Sequence, residues 1–135
     1  MKMIISWILR ILAAVIMGQT LFYKFTAHED SVAIFSAIGM EPHGRIIIGV
    51  LELIAAILLL VPTTVAYGAI LAWGLMSGAI MGHFSGIGFE GELLQLFLLG
   101  DVVWISSIVL LVMHKDQIPV IRHMFAKSER APKQK

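Results

Sequence analysis

Four long, mostly apolar runs, at residues 4–25, 46–61, 64–84 and 93–113, limit what this chain can fold into. Each is close to the roughly 20 residues that a helix needs to cross a hydrocarbon core. They are apolar all round, not along one stripe, so they ask for lipid as their solvent. The expectation is an all-α protein, a bundle of four transmembrane helices occupying residues 1–113. Arg10 interrupts the first run, which then resumes to Phe25 with no small-x-small cleavage site. That run therefore reads as a retained helix and not as a secretory signal.

The connections differ in kind. Pro62-Thr63-Thr64 is a tight turn that makes the second and third helices antiparallel neighbours, with Thr64 placed to cap the third. The second span is expected to begin within Pro42-His43-Gly44-Arg45. In the longer first connection, Asp30 or Ser31 is expected to cap a short interfacial helix over about residues 31–39. It would carry Val32, Phe35 and Ile38 on one face and end at Gly39. The third connection, Ser85 to Glu92, contains three glycines and is expected to be a flexible loop. Residues 114–135 form a basic tail, whose Ile118–Phe125 stretch suits an anionic membrane surface and whose residues from Lys127 onward read as disordered.

Lysine and arginine placement sets the orientation. Lys2, Arg10, Lys115, Arg122, Lys127, Arg130, Lys133 and Lys135 fall on one side, and only Lys24 and Arg45 on the other. Both termini are therefore expected in the cytoplasm. With 14% charged residues and a net charge of +1, no tract exists for gripping nucleic acid. The absence of cysteine removes disulfides, thiolate metal sites and thiol relays within the chain.

The polar residues inside the runs carry the functional reading. Gln19 and Glu52 lie about 9 Å, and Asp101 about 12 Å, from the outer ends of their helices at 1.5 Å per residue. Lys24, Arg45 and His83 lie nearer the surface, so six polar groups gather in the outer half. Arg10, in the inner half, is placed to snorkel to the cytoplasmic surface. An ionised carboxylate facing lipid costs roughly 2.5–3.5 kcal/mol, so Glu52 and Asp101 are expected to face inward, with Lys24–Glu52 as the favoured pair. The cluster is either a set of structural ties or an outward-opening pocket for a headgroup, a small molecule or a proton. No HxxxH or ExxH spacing marks a metal site, and the five histidines do not supply two haem ligands at one depth. Gly74, Gly78 and Gly82 form a double GxxxG ribbon, expected to pack helices within the bundle in preference to a second copy.

Several segments together resemble the DoxX-like family of small four-helix membrane proteins, over roughly Ile11 to Met113. They are Lys24 at the end of the first helix, Phe35-Ser36-Ala37-Ile38-Gly39, Ile48-Gly49-Val50-Leu51-Glu52-Leu53, Leu60-Val61-Pro62, Tyr67-Gly68-Ala69, Met76-Ser77-Gly78-Ala79 and His83. The resemblance implies a bacterial inner membrane and, for some members, a link to electron transfer into quinone. Thiol chemistry known in distant relatives does not carry over to a chain without cysteine. No flavin, haem or iron–sulfur motif is evident, so no cofactor is read from the residues, and quinone enters only through the resemblance. The leading expectation is a non-catalytic subunit or binding module for a lipid-like, quinone-like molecule or a partner membrane protein, alone or as a homo-oligomer. The alternatives are a proton- or electron-relaying subunit of a membrane oxidoreductase, and a small-solute transporter.

Overall fold

A computed structural model describes residues 1–130. Four long helices dominate it: α1 (Lys2–Phe25), α3 (His43–Leu60), α4 (Val65–Gly82) and α5 (Glu92–Met113). A short α2 (Glu29–Ala37) lies in the first connection, and α6 (Pro119–Arg130) follows α5 after one 3-10 turn (Lys115–Gln117). The described residues contain no strand. All four long helices have the length and hydropathy to cross a membrane. The chain is a multi-pass membrane protein, and Ile8, Ile11, Val15, Phe22, Ile47, Ile57, Ile105 and Val112 point outward on the faces that lipid must cover.

The helices form a ring in which α1 touches α3, α3 touches α4, α4 touches α5, and α5 returns to α1. The core lies towards the end of the bundle that holds the termini. It is built on Ala13, Ala55, Ala56, Ala69 and Ala72, with Met17, Leu59, Val65, Val103 and Leu110 filling between them. Small side chains let backbones approach, which is how helices gain van der Waals contact in lipid, where apolar burial gives little. Gly68 is the tightest case. A Cβ there would sit 2.7 Å from the Leu59 nitrogen and 3.0 Å from the Leu58 carbonyl carbon.

Arg10 does not snorkel. It is buried, its guanidinium stacks 3.6 Å from the Trp7 ring centroid, and it donates to the carbonyls of Leu59 and Leu60. Those oxygens belong to the last turn of α3 and have no partner inside the helix, so a buried cation is worth more there than at the surface. Thr64 occupies the position before α4, but its hydroxyl donates back to Leu58 O (2.9 Å) and caps nothing in α4. Gln117 caps α4 instead. Its Oε1 accepts from the Ala66 N–H (2.9 Å) and its Nε2 donates to Pro62 O (2.8 Å), which fixes the amide orientation from both sides.

His114 joins the same end. Its Nε2 is 2.7 Å from Ser6 Oγ, and its Nδ1 is 3.4 Å from Gln117 Nε2. An amide NH₂ only donates, so Nδ1 accepts and Nε2–H points to Ser6. Burial, and after it the charge of Arg10, hold this imidazole below the ordinary histidine range.

Three local expectations need correction. The helix in the first connection starts at Glu29, with His28 before it accepting from the Asp30 N–H through Nδ1 (3.3 Å). The loop after α4 is shorter than expected, because a π-helical turn, His83–Ile87, continues the helix and is closed by Gly88 N–H to His83 O (3.1 Å). Lys127 to Arg130 are helical, as part of α6; the rest of the expected disordered end, 131–135, lies outside the described residues.

Candidate functional site

At the end of the bundle opposite the termini, the helices enclose a cavity of about 620 Å³. Every long helix contributes to its wall, α2 supplies Asp30, Ser31, Ile34 and Phe35, and Ile38 follows just beyond the end of α2. Ser31, Ile34, Phe35 and Ile38 repeat at helical spacing, so the inward face of α2 centres on Ser31 and Phe35 and not on Val32. Gly39, with φ of 73°, ends that helix in a conformation that side-chained residues avoid.

The polar centre of the wall is an ion pair. Lys24 Nζ donates to Glu52 Oε2 at 3.0 Å, and both side chains are largely buried, 13% and 4% exposed. The Thr20 hydroxyl, bonded to Met17 O at 2.8 Å, is also 3.3 Å from the same carboxylate oxygen. Thr20 was not anticipated, although it lies one helical turn below Lys24 and so on the same face. Gln19 also lines the cavity and is exposed.

His83 stands in the wall from α4, 7% exposed. Its Nδ1 is 2.9 Å from Ala79 O and must be the donor, since a carbonyl only accepts. Nε2 is then an acceptor in the neutral ring, and it is buried with no hydrogen-bond partner. The rings of Phe89 (5.8 Å) and Phe97 (5.4 Å) pack against the imidazole and fix its plane.

Two of the six expected residues are placed elsewhere. Arg45 grips Glu41, with Nε 3.0 Å from both carboxylate oxygens, and donates to the Lys24 carbonyl. It ties the first connection to the end of α1, and the Lys24 ammonium is left for Glu52. Asp101 does not line the cavity. Glu92, Gln95, Leu96, Leu99 and Gly100 are the α5 residues that do, and a step of about 100° per residue carries Asp101 past their face.

The glycine ribbon also differs from expectation. Gly74, Gly78 and Gly82 all line the cavity, and a Cβ added at Gly74 or Gly78 would meet nothing within 4 Å. No helix of the bundle packs on these two positions. The tight glycine of α4 is Gly68, outside the ribbon.

Among the described residues, no three His, Asp or Glu side chains are grouped to hold a metal ion. The model of the DoxX-like family matches residues 8–106. The chain belongs to that family. No curated protein and no solved structure gives a match. The family match runs from within α1 to within α5 and takes in every residue of the cavity wall.

Proposed function

We propose that this DoxX-like protein is a membrane binding module that takes a lipid-like molecule with a compact polar head, of the quinone type, into the cavity beneath α2. The observation that carries the reading is the make-up of that cavity. Its size lies in the range of roughly 300–1,000 Å³ usual for small-molecule sites, and its wall is mostly apolar. Among its polar groups are Gln19, Lys24, Glu52 and His83, with Lys24 and Glu52 paired across α1 and α3. Lys24 offers a donor and Glu52 an acceptor, which suits a head carrying both carbonyl and hydroxyl oxygens. The family suggests a bacterial inner membrane, and lysine and arginine placement supports both termini, and the tail from His114 onward, in the cytoplasm. The cavity then lies in the outer half of the bilayer.

The test is native mass spectrometry of the protein extracted gently from its own membrane, with released small molecules identified. The expected result is a stoichiometric lipid-like molecule that is lost in Glu52→Gln. Retention of that molecule in a folded Glu52→Gln protein would sink the proposal. A bound second protein, with the same substitution harmless, would make the chain a scaffold instead.

A further inference from the structure

Asp101 is partly exposed and makes no hydrogen bond or ion pair with any described residue. The buried side of α5 is formed by Val103, Ser106, Ser107 and Leu110. At about 100° per residue, Asp101 stands on the opposite side of that helix, the side turned to lipid. It lies about 12 Å in from the outer end of the span, too deep for a short carboxyl to reach the headgroups. A polar group in that position is costly unless something beyond the bundle meets it. The residues around it are spaced for a facing helix. Leu94, Leu98, Asp101, Ile105, Ile108 and Val112 follow at alternating steps of four and three, the a and d spacing of a heptad. Leu94, Leu98, Ile105 and Val112 are exposed, and Ile108 partly so. From Leu94 to Val112 this seam runs about 27 Å, nearly the thickness of a hydrocarbon core.

We propose that this seam is an interface between two copies of the chain, with α5 packed on α5 in parallel and the two Asp101 carboxyls hydrogen-bonded to each other. Copies inserted in the same sense carry Asp101 at the same depth, and a twofold axis along the membrane normal brings the two side chains face to face. A protonated carboxyl donates and a carboxylate accepts, so one proton shared by the pair gives each side chain a partner. An unrelated protein would need its own donor exposed to lipid at this depth, whereas a second copy brings the matching group by symmetry. A polar residue at one heptad position also fixes register, because a slip of one turn would set both carboxyls against apolar side chains. Asp101 lies outside the cavity wall, so the interface stands whatever the cavity holds.

The chain has no cysteine, so single introduced cysteines report on this face without background. Copper-phenanthroline oxidation of native membranes should link Leu98→Cys and Ile105→Cys into dimers and leave Ile57→Cys monomeric. Ile57, on α3, is the control because it is 53% exposed against 57% for Ile105 and lies about as deep in the bilayer. Association strength is then read by fluorescence energy transfer between copies labelled at Lys135→Cys, diluted in phosphatidylcholine vesicles. Asp101→Leu should weaken association by about tenfold. Asp101→Asn keeps a donor and an acceptor and should stay within about threefold of the wild type. Asp101 touches no partner inside the bundle, so both variants keep the fold. Cross-linking of Ile105→Cys no stronger than that of Ile57→Cys would overturn the interface. So would an Ile105→Cys adduct with the mass of a different protein. Asp101→Leu associating as tightly as the wild type would overturn the carboxyl pair.

Discussion

The two ends of this bundle treat buried polarity in opposite ways. At the end holding the termini, three polar side chains are committed to other parts of the chain: Arg10 to the Leu59 and Leu60 carbonyls, His114 to Ser6, Gln117 to Ala66 and Pro62. Alanines close the space between them, and little is left over. At the other end, Lys24 and Glu52 meet on a cavity wall, and His83 keeps an acceptor with no partner. The same residue types are structural in one half and available in the other. What separates them is not charge but whether the surrounding volume is filled.

That contrast breaks most sharply at the ion pair. Lys24→Met leaves Glu52 in apolar surroundings without its cation and should cost about 2–3 kcal/mol of stability. The double variant Lys24→Met/Glu52→Met should recover most of this and still fail to bind ligand, as read by thermal unfolding in detergent and by native mass spectrometry. Were the double variant as unstable as the single, the pair would be a structural tie like those at the other end.

Arg10→Met tests the opposite half. It strips the last carbonyls of α3 of their donor and should cost about 1–2 kcal/mol, in keeping with modest hydrogen-bond energies in membranes. The same binding assay should show no loss of affinity once the protein is folded. A drop in affinity would mean that the two ends are coupled.

Glycines on one helix allow a finer comparison. Gly68→Ala drives a Cβ into the α3 backbone and should destabilise by about 1–3 kcal/mol. Gly78→Ala meets open space and should stabilise by about 0.5–1 kcal/mol. Equal signs from the two substitutions would remove the distinction between a packed end and an open one.

The smallest effect concerns pH. Because the native His114 pKa lies below the ordinary value of 6.5, the unfolded chain takes the proton more readily. Its contribution to stability is complete above that value and is lost as pH falls through the lower native one. Protonation also places a hydrogen on Nδ1, facing the Gln117 amide donors. Hydrogen exchange at the Ala66 amide, corrected for its intrinsic rate, should accelerate on acidification in the wild type and not in His114→Gln. An unchanged rate would detach His114 from the clip.

Much of this was legible in the sequence, and the limits follow from lipid as solvent. Run length gives the four spans, and a three-residue turn makes α3 and α4 neighbours. Depth comes from counting residues at a fixed rise, which placed Lys24 and Glu52 within reach of each other. Azimuth does not come so easily. In water an apolar stripe tells which face of a helix is inward, but α5 is apolar all round, so the sequence could not show that Asp101 turns away from the cavity. Gly74 and Gly78 present the same difficulty, since a GxxxG spacing reads alike whether it faces a helix or a void. Arg10 was misread because its depth suggested reach towards water, whereas the bare carbonyls ending α3 lie closer. The His83 acceptor becomes visible only once Ala79 O has claimed Nδ1.

The Gln117 clip bears on how the molecule is assembled. The α3–α4 hairpin, with its three-residue turn, is synthesised some fifty residues before Gln117, as the separation of Ala66 from Gln117 in sequence requires. Until α5 has crossed and its end has returned to the termini side, the first turn of α4 therefore waits with an unmet amide. The clip can therefore close only once the fourth helix has brought Gln117 back to the turn between α3 and α4.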